Sequence, residues 1–185
     1  VKANNVSELI ALLKSKPGQF NYGSSGNGTI VHLTGELFKS TTGTYVVHIP
    51  YRGTALVIPD MMSGQIHMLF DNIASAMPHL KDGKLRAIAV TSTQRSPLLP
   101  ALPAVADSVP SFESVTWFGV FGPKAMPADI TQRLNSEINA VLKSPEFLER
   151  LRVLGYDAAG GTPADFARVV AADTAKWAKL IKERN

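Results

Sequence analysis

An α/β fold built on a parallel sheet is what this sequence predicts, and two observations carry the expectation. Between residues 19 and 91, short apolar or β-branched runs alternate with stretches of helical periodicity, the order that parallel strands joined by crossover helices require. Each run also ends in small or polar residues, so a turn separates it from the helix that follows. The 185 residues, 45% of them hydrophobic, can bury roughly 70% of the unfolded surface without a cross-link.

The elements follow in order. Val6, Leu9, Ile10 and Leu13 recur at helical spacing, which predicts a helix over 5–15, stopped by Lys16-Pro17-Gly18. Gln19 to Tyr22 is a short strand with alternating aromatics. The small residues Gly23 to Gly28 come next, and then a helix whose buried face is Ile30, Leu33, Thr34, Leu37 and Phe38. Tyr45 to Pro50 (YVVHIP) reads as a strand buried on both faces, with a short helix over 53–62 behind it. Gln65 to Phe70 (QIHMLF) is a further strand closed by Asp71-Asn72, followed by a helix over 73–80 and a strand over 84–91 (KLRAIAVT). Pro97, Pro100, Pro103 and Pro110 make 96–110 a connector at which the architecture changes lobes. Beyond it come an apolar strand over 115–121 (VTWFGVF), a helix opened by Pro127, and another running from Pro145 to Gly155. Thr162 caps the last helix, whose buried stripe is Phe166, Val169, Val170, Trp177, Leu180 and Ile181.

Composition excludes several functions. The net charge of +4 is spread along the chain, without the basic stripe and interleaved aromatics of a nucleic-acid surface. Without cysteine there is no disulfide, thiolate metal site or cysteine nucleophile. No run approaches the ~18 consecutive apolar residues of a membrane span, so direct membrane insertion is not expected. Val1 to Asn5 also lacks the form of a signal peptide.

The stretch YGSSGNGT carries the most chemistry. Glycines let a backbone approach a bound group, serines add hydroxyls, and a helix beginning here aims free N–H groups at the same point, which suits an anion. Known motifs fail on it. Thr29 stands where a P-loop needs lysine, Val31 where a dinucleotide fingerprint needs glycine, and no G-x-S-x-G is present. No recognisable spacing sets a general base beside Ser24 or Ser25, so catalysis is not expected. The plain alternative is a tight turn. Asp71 and Asn72 end a strand and would face the same sheet edge as Ser24 and Ser25, where ligands bind in parallel sheets, although a turn or helix cap fits them equally. His32, His48, His67 and His79 lack metal-ligand spacing and read as histidines with ordinary hydrogen-bond partners, and Trp117 and Phe118 read as core. Neither metal nor cofactor is implied.

The ordered series YGSSGNGT, HLTGELF, HIPYRG, QIHMLFDN, PHLKDGKLRAIAVTS with RSP, WFGVFGP and GGTPADF resembles the substrate-binding receptors of tripartite tricarboxylate transporters, the Bug or TctC-like proteins, over nearly the whole chain. The resemblance implies a type II periplasmic-binding-protein fold, in which two α/β lobes with mostly parallel sheets close on a small carboxylate and present it to membrane permease subunits. It implies a periplasmic receptor and not an enzyme. By this analogy residues 1–110 are the second lobe, and 111–185 return to the first with a late strand and terminal helices. Ser24, Ser25, Gly26, Asn27, Gly28 and Thr29 would then clamp the ligand's carboxylate, with Asp71 and Asn72 at the rim. The signal peptide and the first lobe's opening strand and glycine-rich loop do not precede Val1, so the resemblance also implies an N-terminally truncated first lobe and weak binding by this chain alone. An alternative keeps the fold but makes it the ligand-sensing effector domain of a transcription regulator.

Overall fold

A computed structural model describes residues 1–184, which divide into two compact units, Val1–Thr116 together with Arg184, and Trp117–Glu183. The first unit opens with α1 (Val6–Ser15), capped by Asn5, whose side-chain oxygen accepts the Glu8 N–H at 2.8 Å while Glu8 accepts the Asn4 N–H at 2.8 Å. Next come β1 (Asn21–Ser24), α2 (Ile30–Thr42) and β2 (Val47–Pro50). A 3-10 turn (Thr54–Leu56) leads into α3 (Val57–Met62), followed by β3 (Met68–Leu69) and α4 (Ile73–Lys81). The three strands are parallel in the order β2-β1-β3, so β1 is central and its carboxyl end meets the glycine-serine loop.

Packing explains that arrangement. Tyr22, Phe38, Phe112, Leu13 and Val46 are fully buried in one cluster that also takes in Val6, Leu9 and Met68, so α1, α2 and the sheet share a core. The buried face of α2 is turned from the expected one. Val31, Thr34, Gly35 and Phe38 face inward, whereas Ile30, Leu33 and Leu37 are half-buried. The Tyr22 ring causes this, because it lies against Gly35 where a Cβ would come within 2.2 Å of its Cε2 atom. Near the chain start, the Arg86 guanidinium donates to the Ala3 carbonyl at 2.6 Å and to Asn4 Oδ1 at 3.2 Å, tying the entry to α1 onto the segment after α4.

Two expected strands are absent among the described residues. Over 84–91 only a single parallel bridge forms, Val90 with Ala104, where the Val90 N–H donates to the Pro103 carbonyl and its own carbonyl accepts from Val105. The next rung, at Ile88, would need an N–H from residue 103, and Pro103 has none. In the other direction a 3-10 turn (Val105–Asp107) takes the chain away from pairing.

The segment 115–121 finds no strand partner either. Its aromatics pack on helices instead. The second unit holds α5 (Ala128–Leu142), α6 (Pro145–Leu154) and nearly all of α7 (Pro163–Arg184). There Trp117 donates its ring N–H to Asp173 at 2.6 Å and meets Phe166 edge-on, while Phe118 does the same with Tyr156. With no sheet beneath them, the apolar residues of α5 are exposed at Ile130, Leu134, Ile138 and Val141. The expected stripe on α7 is also incomplete, since Leu180 is buried but Val169 and Ile181 are exposed. Local signals at the helix ends behave as expected: Thr162 caps α7 by accepting the Asp165 N–H at 3.1 Å, and Gly155 closes α6 in the left-handed region.

Candidate functional site

All three strands end at one edge, and each is followed by a segment rich in small or polar residues. After β1 comes Ser25 to Thr29, after β2 Tyr51 to Thr54, after β3 Phe70 to Asn72. The first segment makes a tight curve. Gly26 (φ 128°) and Gly28 (φ 76°) both lie in the left-handed region, which a side chain would strain. Thr29 then caps α2, accepting the His32 N–H at 3.4 Å and donating its own hydroxyl to the Gly26 carbonyl at 2.7 Å.

Some loop amides are already used. Gly26 donates to Ser24 Oγ at 3.1 Å, Gly28 to His32 Nδ1 at 3.0 Å, and Thr29 to the Gly26 carbonyl at 3.3 Å. The N–H groups of Ser25 and Asn27 have no acceptor among the described residues, and those of Ile30 and Val31, in the first turn of α2, have none by helix geometry. These four donors, beside the positive end of a 13-residue helix, are what the edge offers an anion. Ser25, Gly26 and Thr29 are half-buried, and Asn27 and Gly28 are exposed.

Ser24 differs from its neighbours. Its side chain is 0% exposed, and its hydroxyl is engaged with His48 Nε2 at 2.6 Å. No spacing along the chain places a base here, yet the register pairs His48 with Tyr22, two residues before Ser24 on the adjacent strand. The pair is not a nucleophile dyad. No substrate can reach a fully buried oxygen, and burial together with the neighbouring His32 holds His48 down at about 4, a poor base.

Asp71 and Asn72 lie at the same edge. Asp71 accepts the Asn72 N–H at 2.9 Å, and the nearby hydroxyls of Ser75 and Thr54 favour its charged form. Burial pushes its carboxyl up, partly offset by these neighbours. Asn72 occupies the N-cap position of α4 without a side-chain cap bond.

The residues that sequence reasoning missed are His32 and His48. Their rings stack at 4.1 Å directly under the loop, and Tyr22 stacks on His48 at 4.8 Å. His32 could have been suspected as the residue one turn into a capped helix. His48 could not, because its position depends on strand register.

The whole chain, residues 1–185, matches the sequence profile of the tripartite tricarboxylate transporter family receptor, TctC. This chain belongs to that family. It is similar to the UPF0065 protein in the tcbD-tcbE intergenic region of Pseudomonas sp. (strain P51), 35% identical over 97% of this chain and 54% of that one. Among solved structures it resembles R. palustris Rpa4515 with adipate (36% identity, TM-score 0.87, 98% of this chain and 61% of that one). It also resembles a periplasmic transporter (35% identity, TM-score 0.84, 100% of this chain and 62% of that one). This TctC chain thus spans about half to three fifths of the length of these relatives, and the fold it shares with them is that of periplasmic binding proteins. TctC proteins are receptors that bind substrates, not enzymes. No described helix is long and apolar enough to cross a membrane.

Proposed function

We propose that this chain is part of a periplasmic receptor that captures a small organic acid for a tripartite tricarboxylate-type transporter and hands it to the membrane permease subunits. The observation that carries the reading is the set of uncommitted donors at Ser25, Asn27, Ile30 and Val31, gathered where β1 meets α2. Such a set binds a carboxylate without a formal cation, and release then requires no ion pair to be broken. The adipate in Rpa4515's structure, at 36% identity, supports a carboxylate as the ligand class.

In this reading Ser25, Gly26, Asn27, Gly28 and Thr29 surround one carboxylate, and Ser24 holds Gly26 in place from below. Asp71 and Asn72 form the rim. As an acceptor, Asp71 repels a second bare anion and favours a ligand that presents a hydroxyl or N–H there. Residues 1–110 make up most of one lobe, and 111–185 belong to the other. The chain captures its ligand and does not transform it.

Titration of the 15N-labelled chain with a panel of mono- and dicarboxylates headed by adipate tests this. At least one acid should shift the amide signals of Ser25, Asn27, Ile30 and Val31, and adipamide, which has no carboxylate, should leave them in place. If no acid moves these amides, or adipamide moves them equally, the site is not a carboxylate clamp.

A further inference from the structure

We propose that His32 and His48 are positioning residues that hold the Ser24–Thr29 loop in shape, and that they do so only as neutral rings, so that acid releases the loop. Each imidazole holds one turn of it. The bond from the Gly28 N–H to His32 Nδ1, at 3.0 Å, needs a lone pair on that nitrogen. The bond between Ser24 Oγ and His48 Nε2, at 2.6 Å, leaves the serine oxygen free to accept the Gly26 N–H when the hydroxyl donates to the ring.

Protonation removes the first and reverses the second, so that Ser24 Oγ accepts from the ring as well as from the Gly26 N–H. A proton on His32 Nδ1 would point at the Gly28 N–H, donor against donor. A proton on His48 Nε2 would turn the Ser24 hydroxyl away from the ring and toward the Gly26 carbonyl, 3.3 Å away. Two charged rings would then face each other across the 4.1 Å stack.

The surrounding charges do not rescue the charged form. Glu36, on the same helix, lies 4.0 Å from His32 Nε2 and is the carboxylate that faces the pair. It is already committed to the Tyr22 hydroxyl at 2.7 Å, Lys39 Nζ at 2.7 Å and, from the end of α7, Arg184 Nε at 3.0 Å. Lys39 itself opposes a positive charge on either ring. Tyr22, with its hydroxyl proton held on Glu36, supplies no charge.

The sign follows. Burial lowers His32 below the ordinary imidazole value of 6.5, and lowers His48 to about 4. Loop order is complete above the ordinary value and is lost as the pH falls toward the folded one. That acid would also release a bound carboxylate rests on the receptor reading above. The loop transition does not.

The test therefore uses no ligand. In the 15N-labelled chain, with histidine C2–H signals followed in parallel, the pH is lowered from about 7.5 to about 3.5, past the value of about 4 at His48. The Gly26 and Gly28 amide signals should move in a transition shared with His32 and His48, below the ordinary imidazole range. His32→Asn places an oxygen where Nδ1 was, and His48→Gln places an amide near the former Nε2. Each keeps its loop contact and cannot titrate, so the double variant should hold both glycine signals at their neutral-pH positions throughout. Should either variant fail to fold, the native titration decides alone. Glycine signals that stay fixed while the two imidazoles titrate overturn the proposal, as does an unchanged transition in a folded double variant. A loop that titrates as stated but ignores every carboxylate would leave this inference standing and remove the receptor reading instead.

Discussion

Gly35 decides how α2 meets the sheet, and its replacement pits two effects of known size against each other. Alanine in a helix interior is worth about 1 kcal/mol over glycine. Here the added Cβ would sit 2.2, 2.6 and 2.9 Å from three atoms of the Tyr22 ring, which is fully buried and fixed through its hydroxyl to Glu36. Overpacking of that kind costs about 1–3 kcal/mol, and a ring held at both ends favours the upper part of the range. Gly35→Ala should therefore destabilise the first unit by about 1–2 kcal/mol net, read as a lower urea midpoint at unchanged slope. A gain in stability would mean that the ring yields. The residue scale also shows where sequence reading stops. The small residues of the loop were plain in YGSSGNGT, whereas the buried Ser24 hydroxyl and its histidine partner depend on register that no local pattern encodes.

Among the elements, α2 carries the site, and Thr29 fixes where it begins. The Thr29 side chain serves both sides of the boundary, accepting from His32 within the helix and donating to Gly26 in the loop. Losing a threonine cap costs about 1 kcal/mol. Thr29→Ala should show that loss in thermal unfolding, and the hydrogen-bonded amides of Gly26 and Gly28 should exchange faster with solvent because the loop loses its tie. Helices were legible in the sequence because caps and stops are local: Asn5, Thr29, Thr162 and Gly155 all act as their residue types suggest. Strands were less so. A strand exists only where a partner offers N–H groups in register, and Pro103 withholds one from the run over 84–91.

At the scale of the molecule, the two units contrast in what they bury. The first fully buries Tyr22, Phe38 and Phe112, while the second leaves Phe118 76% exposed and Val153 71% exposed, in addition to the open face of α5. Apolar surface of that extent drives association. Sedimentation of the purified chain should show a mass that rises with concentration, and the pair Leu134→Lys and Ile138→Lys, on exposed positions of α5, should reduce that rise with little change in helix content. A monomer at every concentration would contradict the expectation. The α/β character and the helices of both halves were readable from periodicity. The exposure of the second half was not, because periodicity says which face is apolar and never whether anything lies against it.

The two tryptophans of the chain, Trp117 and Trp177, both belong to the second unit, one bonded to Asp173 and the other beneath Lys176. Indole emission consequently watches the half of the chain that lacks the glycine-serine curve. A spectroscopist following carboxylate addition by intrinsic fluorescence would be observing the wrong unit, and a flat trace would say nothing about binding. An indole introduced near the strand edge, for example by Tyr51→Trp, would move the reporter to where the chemistry is.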